Sequence, residues 1–216
     1  MVVVTTDKSS KFDQLHSVRY KLEHNQLSRL TAESDKIRVF QILDNHLKCK
    51  GISGNNSESG SGSDWEVKQF AIQLIHDILP HVGADSLDKC MAEVLPNLIP
   101  CLGSARVSVR KAAIQAVQIY LRFTAEIATV LKAIVNFGLE HPGLEKTVIH
   151  ETLISIPLLF PVLPEDFDDR FCGTQRNIFH LVSGLARKLI LEETRLPAFM
   201  SLQRLADVVG VKQFQV

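Results

Sequence analysis

Residues 64–75 read DWEVKQFAIQLI, and residues 106–117 read RVSVRKAAIQAV. Laid on each other at an offset of 42 residues, they place Val67 on Val109, Lys68 on Arg110, and Ala71-Ile72-Gln73 on Ala113-Ile114-Gln115. Within the first stretch Phe70, Ala71, Leu74, Ile75, Ile78 and Leu79 fall on one helical stripe, with Glu66, Lys68, Gln69 and Gln73 off it. Ala112, Ala113, Ala116, Val117, Tyr120 and Leu121 repeat that spacing. A weaker third copy, LEKTVIHETLI at 144–154, follows the second at a spacing of 35, with Lys146 under Lys111. Repetition at ~40 residues on helical periodicity predicts stacked helical hairpins of HEAT or armadillo type, because one hairpin cannot bury its apolar face alone.

Each repeated helix has an apolar helix before it. These are KIRVFQILDNHLK (36–48), CMAEVLPNLIPCL (90–102) and IATVLKAIVNFGLEH (127–141), and a fourth pair is expected over 174–193 and 196–209. Pro80 stops the first repeated helix, and Asp64 and Ser34 are candidate N-caps. The Gly- and Ser-rich run at 51–63 therefore joins the two helices of one unit and does not separate two domains. The expected organisation is an all-α solenoid domain over 36–210, preceded by an arm or capping helices at 1–35, where Phe12, Leu15, Val18, Leu22 and Leu27 recur at near-helical spacing.

Lys plus Arg and Asp plus Glu both number 24, so no global field gathers nucleic acid or an anionic membrane, and neither is expected as a partner. The four cysteines, Cys49, Cys90, Cys101 and Cys172, lack CxxC spacing and read as reduced thiols of a cytoplasmic protein. No apolar run approaches the ~20 residues of a membrane span.

Stacked hairpins bring the same turn of every unit to one edge. That row holds Trp65, Val107 and Pro142, accompanied by Lys68, Arg106, Arg110, Lys111 and Lys146. An aromatic beside several cations suits an acidic protein surface, the indole supplying buried area and the cations supplying steering. The plainer alternative is an indole covering the neighbouring turn and cations solvating an outer helix face.

The order DWEVKQFAIQLI, LIPCLGSARVSVRKAAIQAV, NFGLEHPGLEKTVIHETL resembles a TOG domain, the tubulin-binding HEAT-repeat module, and is most similar to that of the crescerin proteins of cilia. The resemblance runs from about Lys36 to Gly210. It implies a flat paddle whose intra-repeat loops bind the tubulin heterodimer or microtubule as an isolated monomeric module, with a cytoskeletal or ciliary location. Trp65 would be the first-loop aromatic, Val107 with Arg106, Arg110 and Lys111 the second-loop element, Lys146 the third-loop base and Arg195 the fourth. Four units are visible where the family carries about six, and Glu145 stands where a base would serve an acidic partner better. A HEAT scaffold for another protein, or a spacer module with little tubulin affinity, are the alternatives.

No catalytic constellation is found. His76 and His81 lie five residues apart near a helix end, HETLI lacks a second ligand, and GxSxG and P-loop patterns are absent from the sequence. The run EDFDDR at 165–170 reads as a solvated turn before it reads as a cation site. No enzyme activity, cofactor or metal is expected.

Overall fold

The computed structural model describes residues 6–24, 26, 32–48, 64–140 and positions 151, 152, 155, 158 and 159. Among these residues every regular element is helical, and the fold is all-α. The helices are α1 (Thr6–Glu23), α2 (Glu33–Leu47), α3 (Asp64–Ile78), α4 (Ala84–Leu98), α5 (Val107–Phe123) and α6 (Ile127–Glu140). Short 3-10 turns, Leu79–His81 and Ile99–Gly103, follow α3 and α4. The 51–63 run, Pro142, Lys146, the 165–170 turn, the fourth helical pair and Arg195 lie outside the described residues, as do Cys49 and Cys172.

The periodicity of α3 is realised as burial. Val67, Ala71, Leu74, Ile75 and Ile78 are buried, while Glu66, Gln73 and Asp77 face solvent. Pro80 cannot donate to a continuing helix, so the chain tightens into the 3-10 turn there. The same device follows α4, where Pro100 lies in the turn that leads to α5. Two expected caps move: Asp64 is itself the first residue of α3, and α2 begins at Glu33 with Ala32 in the N-cap position, so that Ser34 lies inside the first turn. Glu33 and Asp35 offset the helix dipole in that turn, which favours a start upstream of the serine.

Cross-helix contacts define directions. Glu33 meets Lys89 at 2.9 Å, Gln41 donates to Glu93 at 3.2 Å, and Asn97 donates to Asp44 at 2.8 Å. Partner numbers rise together, so α2 and α4 run the same way. Asp88, near the start of α4, accepts from Tyr120 at 2.8 Å and Thr124 at 2.6 Å at the end of α5, so α4 and α5 run oppositely. α3 packs on α5 and α2 on both α4 and α3. Two successive hairpins thus lie one on the other with matching helices in contact.

The core follows from that stacking. Phe40, Leu43 and Leu47 of α2 join Ile72, Leu74 and Ile75 of α3, Leu87, Met91, Val94 and Leu98 of α4, and Val117 and Leu121 of α5. Each such side chain contributes about 1.5–3 kcal/mol when fully buried. Ala112, Ala113 and Ala116 keep the α5 face small and allow α3 to approach. α1 adds Leu15 and Val18 to the core and sets Phe12 and His16 against Phe70 of α3, with ring centroids 6.2 and 5.1 Å apart.

Candidate functional site: the turn edge at Trp65

Trp65 stands in the first turn of α3, half-buried, with its ring against the core cluster. Its outer contact comes from the following unit: the Arg106 guanidinium carbon lies over the indole, 5.7 Å from the ring centroid. That distance is within the range of a cation–π attraction. Two residues separated by a whole repeat therefore meet at one rim, as the 42-residue register requires.

The turn before α5 explains how Arg106 gets there. Gly103 closes the 3-10 segment, and Ser104 takes an extended backbone (φ −57°, ψ 141°) that redirects the chain. Arg106, also extended, occupies the N-cap position of α5, and its backbone N–H donates to Ser104 Oγ at 3.3 Å. Arg110, one turn into α5, reaches back and donates from Nη1 to the carbonyls of Ser104 at 2.6 Å and Ala105 at 3.3 Å. Its Nε lies 3.2 Å from Glu151 Oε2 of the third copy. Arg110 is thus held inside the fold by three oxygens.

The remaining cations differ among themselves. Lys111 is exposed, one position beyond Arg110. Lys68 is half-buried and engaged, not a free cation, and Glu66 beside it is engaged as well. Val107, the counterpart of Trp65, is 53% exposed and presents an apolar side chain at the rim. α5 starts without a side-chain cap and without an acidic residue in its first turn, so the positive end of its dipole is left uncompensated by its own sequence.

The sequence pattern brings Trp65, Arg106, Val107, Arg110 and Lys111 to neighbouring helix starts, and the structure joins Trp65 to Arg106 directly. Lys146 and Arg195 lie outside the described residues. Sequence reasoning missed Ser104 and Glu151 as partners of Arg110. The 35-residue register of the third copy sets Glu145, not Glu151, against Arg110, so the repeat pattern carries no signal for that pair.

Two histidine and cysteine environments complete the chemistry. His46 of α2 has an Nε2 that is buried without a hydrogen-bond partner, and burial, aided by the Lys11 charge, holds its pKa below the usual 6.5. Cys90 and Cys101 are buried thiols outside any disulfide, Cys101 Sγ donating to the Asn97 carbonyl at 3.3 Å, and burial pushes the Cys90 thiol up to about 11. Among the described residues no group of three His, Cys, Asp or Glu converges as a metal would require, and no helix is long and apolar enough to cross a membrane.

No protein-family model matches the chain, and no solved structure does. Over 74 residues, 34% of the chain, the sequence is 38% identical to the crescerin-like protein che-12 of Caenorhabditis elegans. That stretch spans 6% of the worm protein, so the two are similar over a segment of a much longer chain.

Proposed function

We propose that this chain is a non-catalytic TOG-type module that binds the tubulin heterodimer through the turn edge led by Trp65, and that it serves microtubule assembly in cilia. The observation that carries the proposal is the meeting of Trp65 with Arg106 across two units, beside exposed Val107 and Lys111. This is an aromatic and apolar centre with a cationic border, the composition of an interface hot spot for an acidic partner. The uncapped start of α5 adds partial positive charge at the same place. The segmental similarity to a crescerin-like protein supports the same reading. In this proposal the hairpins continue as a solenoid through 36–210, with Lys146 and Arg195 extending the edge.

The roles divide by environment. Trp65 and Val107 supply apolar contact, Arg106 and Lys111 face the acidic surface, and Arg110 and Lys68 shape the edge from within. Size-exclusion chromatography of the chain with unpolymerised tubulin tests the proposal. Co-elution of the wild type, abolished by Trp65→Glu and weakened by raised salt, is expected. Separate elution of the wild type, or co-elution of a folded Trp65→Glu variant, would refute it.

A further inference from the structure

We infer that Arg110 is a positioning residue for the indole of Trp65, acting through the Ser104–Ala105 turn and Arg106 without touching Trp65 itself. The chain of contacts is short. Arg110 Nη1 pins the carbonyls of Ser104 and Ala105 at 2.6 and 3.3 Å, which fixes the backbone immediately before Arg106. The Arg106 N–H is tied to Ser104 Oγ at 3.3 Å, so the residue enters α5 from a turn braced at both ends. Its guanidinium then lies over Trp65. Trp65 rests on the core with its inner side and on Arg106 with its outer one.

The physical need for such a brace is plain. An exposed cation–π contact is weak, and a free arginine side chain has many rotamers to lose in making it. Holding the backbone from which Arg106 springs removes part of that cost. Lysine at 110 keeps the charge but lacks the planar fork that here serves two carbonyls and a carboxylate. The brace therefore depends on guanidinium shape as well as on charge. It also links units: Glu151, in the third copy, holds the Nε of the residue that braces the second turn, which in turn holds the aromatic of the first. The consequence for docking rests on the reading of this rim as the partner-binding edge, whereas the positioning itself does not.

Trp65 is the single tryptophan of the chain, so its fluorescence reports the contact without any partner present. Acrylamide quenching is measured for the wild type, Arg106→Ala, Arg106→Lys, Arg110→Ala and the Arg106→Ala/Arg110→Ala double variant, with helix content and Tm recorded alongside. Arg106→Ala and Arg110→Ala are each expected to raise the quenching constant by about two-fold, the population shift a weak cation–π contact supports. Arg106→Lys is expected to stay near the wild type. In the double variant quenching is expected to match Arg106→Ala alone, since Arg110 acts through Arg106. If Arg110→Ala fails to fold, Arg110→Lys replaces it with the same expected rise.

Wild-type quenching in a folded Arg110 variant overturns the inference. So does an Arg110 increment that survives in full on the Arg106→Ala background. Expected quenching in a protein that ignores tubulin would sink the docking edge and leave the positioning intact. Loss of tubulin binding in Trp65→Glu, with quenching indifferent to Arg110, would do the reverse.

Discussion

Arg106 lies over Trp65 with 5.7 Å between its guanidinium carbon and the ring centroid, although the two residues begin different helices of different units. The contact ties the first turn of α3 to the start of α5 at the rim. Trp65 also keeps part of its ring on the core. Trp65→Ala is accordingly expected to cost about 2 kcal/mol, less than the ~3–5 kcal/mol of a fully buried tryptophan, and Arg106→Ala under about 1 kcal/mol. Urea denaturation followed by circular dichroism checks both values. A larger loss for Arg106→Ala than for Trp65→Ala would mean that the arginine, not the indole, organises the edge.

Asp88 is the acceptor that locks the second hairpin. It takes hydrogen bonds from Tyr120 at 2.8 Å and Thr124 at 2.6 Å, and Thr124 Oγ1 in turn accepts from the Glu126 backbone N–H at 2.9 Å. Tyr120→Phe removes one of two donors to the carboxylate and is expected to cost about 1 kcal/mol. Asp88→Ala strands two hydroxyls, one on a buried tyrosine, and is expected to cost about 2–3 kcal/mol. The denaturation midpoints of the two variants, read at equal m-value, give the order directly.

Acidification acts through His46. Its folded pKa is lowered, by burial first and then by Lys11, so the folded state prefers the neutral ring and the unfolded state binds more protons as pH falls below the usual 6.5. The stability it contributes is fully present above about pH 6.5 and declines below it. His46→Leu is expected to flatten that part of the pH–stability profile between pH 7 and pH 5.5. A profile unchanged by the substitution would show that other groups carry the acid sensitivity.

Cys90 is expected to be inert in the folded protein. Burial raises its thiol to about 11, so little thiolate exists near neutral pH, and no solvent path reaches the sulfur. Iodoacetamide labelling at pH 7.5, read by peptide mass spectrometry, is expected to modify Cys90 only after denaturant is added. Rapid labelling of the native protein would show that α4 opens locally.

Helices were legible in the sequence wherever one face alone carries the apolar residues. In the stripe from Phe70 to Leu79 every member but the half-buried Phe70 is buried, the stripe from Ala112 to Leu121 is buried throughout, and Pro80 marks the end of α3 as its missing N–H dictates. The start of α2 was less legible. Ser34 is a good cap by residue type, but acidic side chains at Glu33 and Asp35 carry the helix past it. The site was half legible. Register alone brings Trp65 and Arg106 to the same rim, since translation by one unit needs only the repeat length. The separate fates of Arg110 and Lys111 were hidden, because neighbouring cations on one helix look alike until the turn that one of them grips is folded.

Binding of fluorescently labelled unpolymerised tubulin, measured for the wild type, Trp65→Glu, Arg106→Glu/Lys111→Glu and Lys89→Glu, tests the central claim most directly. Lys89 lies on α4, where it pairs with Glu33 at the start of α2 and not with the starts of α3 and α5, and controls for charge reversal as such. Tight binding by the wild type and by Lys89→Glu is expected, with at least a ten-fold loss, about 1.4 kcal/mol, in each rim variant. Rim variants that bind as the wild type does, or a wild type without measurable affinity, would contradict that claim.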